Sequence, residues 1–295
     1  MHTQLELRTS TQGSDVTEDA IVPSEILRSG SGEPLFLFHG VTCSAQVWQD
    51  VVPLLEGTHE VFVPTALGHR GGPRAEMRPA RISHVVDDAE RCLDRFGFDR
   101  VHLSGNSMGG WVALELARRG RALSVCALSP AGAWQDSQRP AKKLRQLRTL
   151  TRATRLLLPL GASFDTFRKL AMRDNAVHGD RISRATFLGL VDDLLGCEVA
   201  EDLLATDESL TELYADCPVT LAWSEQDRIF PMDPYGKIAK ERVKGSRFIV
   251  LDGVGHVPML DDAELVAETI LATTGATVAP TNGKSAHPRS VPRLA

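Results

Sequence analysis

The stretch Gly105-Asn106-Ser107-Met108-Gly109 sets one hydroxyl between two glycines, with an apolar run leading in and a helix-like run leading out. Inside a plain strand or helix such glycines only loosen the backbone. Two residues either side of a serine, they point to a sharp turn that lifts the serine oxygen above a sheet edge and leaves no room for neighbouring side chains. A G-x-S-x-G string alone arises by chance in roughly one chain in ten of this length, at about 7% per residue type. Its weight here comes from the strand before it and the helix after it.

A serine becomes a nucleophile only beside a base, and the base needs a partner that fixes its tautomer. Asp227 follows the strand-like VTLAWSEQD and His256 follows FIVLDGVGH, so the order along the chain is Ser, Asp, His. That is the order expected when each group sits on a loop after a strand. Taken singly, His256 reads equally well as a loop histidine on a carbonyl, and Asp227 as a turn residue. In this order, at three strand ends, catalysis is the better reading. Glu225 is an alternative acid, and Ser129-Pro130 after the preceding strand offers none. An oxyanion needs two N–H donors. The expected pair is the backbone of Met108, just after the nucleophile, and of Val41, in the loop after PLFLF. Gly40 lets that loop turn, and His39 braces it. Cys43 deserves notice only because it follows the same loop.

The elements that must position these groups alternate. PLFLFHG, HEVFVP, RVHLSG, LSVCALSPA, CPVTLAWSEQD and SRFIVLDGVG read as strands. Between them, residues 45–57 (with Pro53 as a bend or stop), 83–97, 108–120, 234–245 and 261–275 read as helices. Such alternation predicts an α/β fold, a mostly parallel sheet with helices on both faces. It stops after Ala131. Residues 133–212 read as all-helical, a cap or lid over one sheet edge. The expected organisation is therefore core 1–132, cap 133–212, core 213–275 and a disordered proline-rich tail 276–295. QLELRTS is a candidate early edge strand.

With 295 residues and 42% hydrophobic content the chain can fill one sizeable core. A net charge of −5 gives no reason to expect nucleic acid as a partner. No run is apolar for long enough to span a bilayer, and the polar, acidic N-terminus does not resemble a signal peptide. A cytoplasmic protein without stable membrane insertion is expected. The five cysteines contain no C-x-x-C pair and suggest neither a disulfide framework nor a zinc site.

FHG, LSGNSMGGWVALELA, LAWSEQDRIFP and VGHVPMLDDAELV together resemble the α/β-hydrolase family over residues 22–275. The closest likeness is to its lidded small-molecule branch of serine esterases, carbon–carbon bond hydrolases and perhydrolases. The resemblance implies an eight-stranded sheet, a helical cap after strand six, a small-molecule substrate and no cofactor. A serine at 107 argues against relatives of this fold that use an aspartate nucleophile, the haloalkane dehalogenases and epoxide hydrolases. One departure is TALGHRGGP after HEVFVP, where Thr65 stands in a place often held by aspartate, and where His69 and Arg70 read as loop structure before substrate contact. The expected chemistry is ester hydrolysis through an acyl-serine. Carbon–carbon cleavage beside a ketone by the same triad is an alternative, and so is a hydrolase-like receptor. The basic segment 139–160 reads as a lid helix with a solvated charged face. Attraction of an anionic substrate would need Arg148 or Arg155 to turn inward. Attraction of an acidic surface is the other functional reading.

Overall fold

A computed structural model describes residues 26–134, 141–276 and 293–294. Strands β1 (Leu27–Gly30), β2 (Glu33–Phe38), β3 (His59–Val63), β4 (Val101–Asn106) and β5 (Ala122–Leu128) come before the helical stretch. After it come β6 (Leu213–Tyr214), β7 (Val219–Ser224), β8 (Val243–Lys244) and β9 (Arg247–Leu251). The body of the sheet is seven strands in the order β1-β3-β2-β4-β5-β7-β9, parallel except for β1. β6 and β8 form a separate two-residue pairing.

The eighth strand of this sheet is the two-residue Arg293–Leu294 (β10), which pairs antiparallel with β9 at the far edge. The candidate strand QLELRTS and most of the tail lie outside the described residues. β1 was not foreseen: its four residues lie at the sheet edge, largely exposed, and show no apolar alternation.

The central strands are buried on both faces, as a parallel sheet flanked by helices requires. Alternation within β2 assigns its side chains to two layers. Phe36 and Phe38 join Phe62, Leu103 and the residues of α2 (Ile82–Arg95) and α3 (Met108–Arg118). Leu35 and Leu37 join Val61, Val63, α1 (Val52–Leu55) and α10 (Ala263–Thr274) on the opposite face. The helix expected over 45–57 is broken into a short turn at Ala45–Trp48 and α1, with Pro53 in the first turn of α1. There its missing N–H has no intrahelical partner to lose. The α10 helix starts on Asp262, whose carboxylate accepts from Leu265 N at 2.8 Å, and ends at left-handed Gly275. The short α9 (Lys237–Arg242) links β7 to β8.

Five helices fill the stretch between β5 and β6: α4 (Ala141–Thr154), α5 (Leu158–Gly161), α6 (Asp165–Met172), α7 (Arg184–Gly196) and α8 (Ala200–Leu204). They follow the fifth described strand. No helix among the described residues is long and apolar enough to cross a membrane.

The sheet order fixes where a site can form. From β2 the chain goes to β3 on one side, and β4 lies on the other. The crevice outside the carboxyl ends of strands flanking such a reversal is where open α/β sheets bind ligands. Val41 follows β2 there and Ser107 follows β4.

Candidate active site

Ser107 joins β4 directly to α3 with φ 56° and ψ −115°, a left-handed conformation that a residue with a Cβ adopts only under constraint. Its own backbone supplies the constraint. Ser107 N donates to Leu128 O at 3.0 Å, and Ser107 O accepts from Trp111 N at 3.1 Å and Ala131 N at 2.9 Å. Serine at the start of a helix ordinarily caps it through the side chain, but this hydroxyl makes no capping bond. The flanking glycines are required by close approach. A Cβ on Gly105 would lie 2.3 Å from Gly109 backbone atoms, and one on Gly109 would lie 2.1 Å from Phe38 O. Strand β2, the turn and α3 are thus packed backbone to backbone.

His256 and Asp227 meet as the sequence predicts. Asp227 Oδ2 lies 2.7 Å from His256 Nδ1, with both side chains buried. The other oxygen, Oδ1, accepts from Ile229 N at 2.9 Å and Phe230 N at 2.7 Å. A carboxylate on Nδ1 keeps the proton there and leaves Nε2 as the basic nitrogen. Glu225, the alternative acid, instead accepts from Gly253 N at 2.9 Å.

Two neighbours of the Asp227–His256 pair were not singled out by sequence reasoning. Asn106 Nδ2 donates to His256 O at 2.8 Å and to Leu128 O at 3.2 Å, tying the histidine loop to the strand that carries Ser107. Phe230 sets its ring edge-on to the imidazole, with centroids 5.1 Å apart. Both lie inside the quoted motifs, but their types alone do not separate them from core residues. Asp261 was missed as well. It accepts from Gly255 N at 2.8 Å, Val177 N at 3.0 Å and His178 N at 2.7 Å, and so joins the histidine loop to the helical stretch.

On the other side of Ser107, Gly40 comes close enough that an added Cβ would be 3.4 Å from Ser107 Cβ. Val41 follows it. Met108 is the first residue of α3, where an N–H has no intrahelical acceptor. The loop is braced as expected: His39 Nε2 accepts from Ala66 N at 2.9 Å, so Nδ1 carries the proton and donates to Gly40 O at 2.8 Å. Burial and the neighbouring His69 hold the His39 pKa down at about 3, which keeps it neutral. His69 is also buried. Its Nδ1 donates to Leu67 O at 3.0 Å, and burial lowers its pKa to about 4. Thr65 Oγ1 accepts from Ala45 N at 3.2 Å, a structural use of the departure noted above. The Cys43 thiol is pushed up to about 12 by burial, the Asp193 charge and Cys197, which disfavours its thiolate.

Arg70 and Ser44 both turn to one carboxylate in α7. Arg70 Nε and Ser44 Oγ donate to Asp193 Oδ1 and Oδ2, each at 2.7 Å. Burial raises the Asp193 pKa. Of the two arginines in 139–160 named as candidates to turn inward, Arg148 is buried and Arg155 is exposed. Arg148 Nη2 donates to Leu195 O at 3.3 Å, and Arg155 pairs with Asp192 at 2.9 Å.

The model of the alpha/beta hydrolase family matches residues 35–269. Epoxide hydrolase EphH of Mycobacterium tuberculosis is 34% identical over 196 residues, covering 63% of this chain and 91% of that protein. An esterase from Exiguobacterium antarcticum superposes with a TM-score of 0.68 at 18% identity, covering 85% of this chain and 95% of that one. The 2-hydroxy-6-oxo-6-phenylhexa-2,4-dienoate hydrolase of Rhodococcus sp. strain RHA1 gives 0.67 at 21% identity, with 86% and 97% covered. With the matched residues running from β2 into α10 and enclosing the elbow, the aspartate and the histidine, the chain belongs to the alpha/beta hydrolase family.

Proposed function

We propose that the protein is a serine hydrolase acting on a small-molecule carboxylic ester. The observation that carries the reading is the buried 2.7 Å bond from Asp227 to His256 on the loop that Asn106 ties to the Ser107 elbow. In the mechanism, His256 Nε2 takes the proton of Ser107 as Oγ attacks the ester carbonyl. Asp227 stabilises the imidazolium that results. The N–H groups of Met108 and Val41 hold the oxyanion. The alcohol leaves with the proton from His256, and a water activated by the same nitrogen then cleaves the acyl-serine. The five helices between β5 and β6 act as a cap over the site.

Epoxide hydrolysis is the second reading, favoured by the name of the mycobacterial relative. It fits the elbow poorly. A carboxylate that opens an epoxide forms an ester, which water can cleave at its carbonyl. Serine would form an ether, which has no carbonyl for water to attack. Carbon–carbon cleavage beside a ketone needs only the same three residues and stands behind the ester reading on default chemistry alone.

The test is a panel of p-nitrophenyl esters of graded chain length, a vinylogous diketone and a terminal epoxide, run on wild type and Ser107→Ala. The expected result is ester turnover that the substitution abolishes, with a fluorophosphonate probe attached to Ser107. Epoxide opening that survives Ser107→Ala, with no ester turnover in wild type, would overturn the proposal.

A further inference from the structure

Large apolar side chains face water chiefly in one region. Leu150, Leu156, Leu157, Leu160, Phe164 and Leu170 are 59–95% exposed, and all belong to α4, α5, α6 and the turns between them. Elsewhere among the described residues only Met77 and Tyr214 reach that level. Leu156, at 95%, stands clear of the fold on the corner between α4 and α5. A cluster of this kind marks an interaction site rather than the scattered apolar exposure of any surface.

The same stretch is strongly basic. Residues 139–164 contain seven arginines and lysines and no acidic residue, in a chain whose net charge is −5. Arg145 and Arg155 pair with Glu201 and Asp192 at 3.2 and 2.9 Å, but these are exposed pairs of small energetic weight. Arg152 is exposed and has no ion pair among the described residues.

We propose that this corner docks on an anionic lipid surface, with the leucines entering the headgroup–acyl boundary and Arg145, Arg152 and Arg155 contacting lipid phosphates. Stable attachment of this type needs both signals, apolar area and positive charge, and both are present together here. A second copy of the chain is a poorer occupant. A twofold contact through this patch would set arginines of one copy against arginines of the other. The leucines also project into solvent, Leu156 almost fully, which suits a fluid layer better than a preformed protein pocket. The inference concerns the helices outside the triad and does not depend on which bond Ser107 attacks.

The experiment is co-sedimentation of the purified full chain with phosphatidylcholine vesicles, with and without phosphatidylglycerol. Binding is expected only with phosphatidylglycerol, and should weaken as salt screens charges beyond about 8 Å at physiological ionic strength. L156E/L157E should abolish it. R152Q/R155Q should weaken it roughly fivefold for each charge removed. Both variants should keep the wild-type circular dichroism spectrum and turnover of a water-soluble ester. Unchanged vesicle binding in L156E/L157E, or none in wild type, would overturn the proposal. A dimer on size exclusion that L156E/L157E splits, without vesicle binding, would give the surface to a second copy. Binding to polyglutamate but not to vesicles would give it to an acidic protein.

Discussion

A carboxylate has two oxygens, and its side chain is fixed in direction only when both are used. Asp227 gives one to two backbone N–H groups and the other to the imidazole. Asp227→Asn would keep the backbone bonds if its amide oxygen faced Ile229 and Phe230. Its NH2 group would then face Nδ1 and favour the wrong tautomer. The expected loss in kcat is on the order of 10⁴-fold with little change in melting temperature. Ser107→Ala and His256→Ala should each cost on the order of 10⁴- to 10⁶-fold, and the double variant scarcely more, because the residues act as a unit. Losses that multiply in the double variant would show that they act separately. The sharp turn at Ser107 and the meeting of Asp227 with His256 were legible in the sequence because each residue ends an apolar strand-like run, in a fixed order. Asn106, Phe230 and Asp261 were not. Their roles come from contacts spanning 150, 26 and up to 84 residues of chain, and nothing in their local pattern reports those contacts.

At the scale of elements, the elbow is a three-body backbone contact among β2, β4 and α3. Gly109→Ala would drive a methyl group to 2.1 Å from Phe38 O, an atom that no rotamer can move aside. The variant should be destabilised by more than about 4 kcal/mol, the range of severe strain or overpacking, or fail to fold; urea unfolding against wild type would measure it. A drop below 1 kcal/mol would mean that α3 can slide off β2 at little cost. In α4 the apolar spacing was readable, and it identified the helix. It could not decide between Arg148 and Arg155, because that depends on where α7 and α8 lie. Arg148 ends on a carbonyl of the last turn of α7, where the helix dipole favours a cation. Arg148→Gln should therefore lower stability by roughly 1–3 kcal/mol through the lost charged hydrogen bond. It should leave the ratio of KM values for a carboxylate-bearing and a neutral ester unchanged. A raised KM for the charged ester alone would restore the substrate reading of that arginine.

For the whole molecule, the α/β alternation, the parallel sheet and the late helical stretch were all readable from apolar runs and their breaks, since burial on two faces leaves a continuous apolar record. Strand β1 and the pairing of β6 with β8 left none, because short strands with exposed residues bury too little to shape the sequence. Also absent from the sequence was the electrostatic state of the loops after β2 and β3, where two buried histidines pack edge to face with ring centroids 4.9 Å apart. His39 and His69 are held neutral, at about 3 and about 4, chiefly by burial. Protonating either would place a cation in the core, and His69 Nε2 has no hydrogen-bond partner among the described residues. The unfolded chain binds a proton at each near pH 6.5, whereas the folded chain does not. Stability from these groups is therefore complete above about pH 6.5 and is lost as the pH falls toward their folded values. Between pH 7 and pH 5 the two together should cost about 4 kcal/mol, a large share of the stability of an ordinary domain. His59, whose pKa burial also lowers, adds to the fall, while Asp88 and Asp193, raised by burial, act against it. Calorimetry should show the melting temperature falling by roughly 10 °C from pH 7 to pH 5. His69→Gln, which keeps a donor for Leu67 O, should make that fall smaller whatever it does to stability at pH 7. A melting temperature that stays level from pH 7 to pH 5 in wild type would mean that the two histidines are not held neutral in the fold.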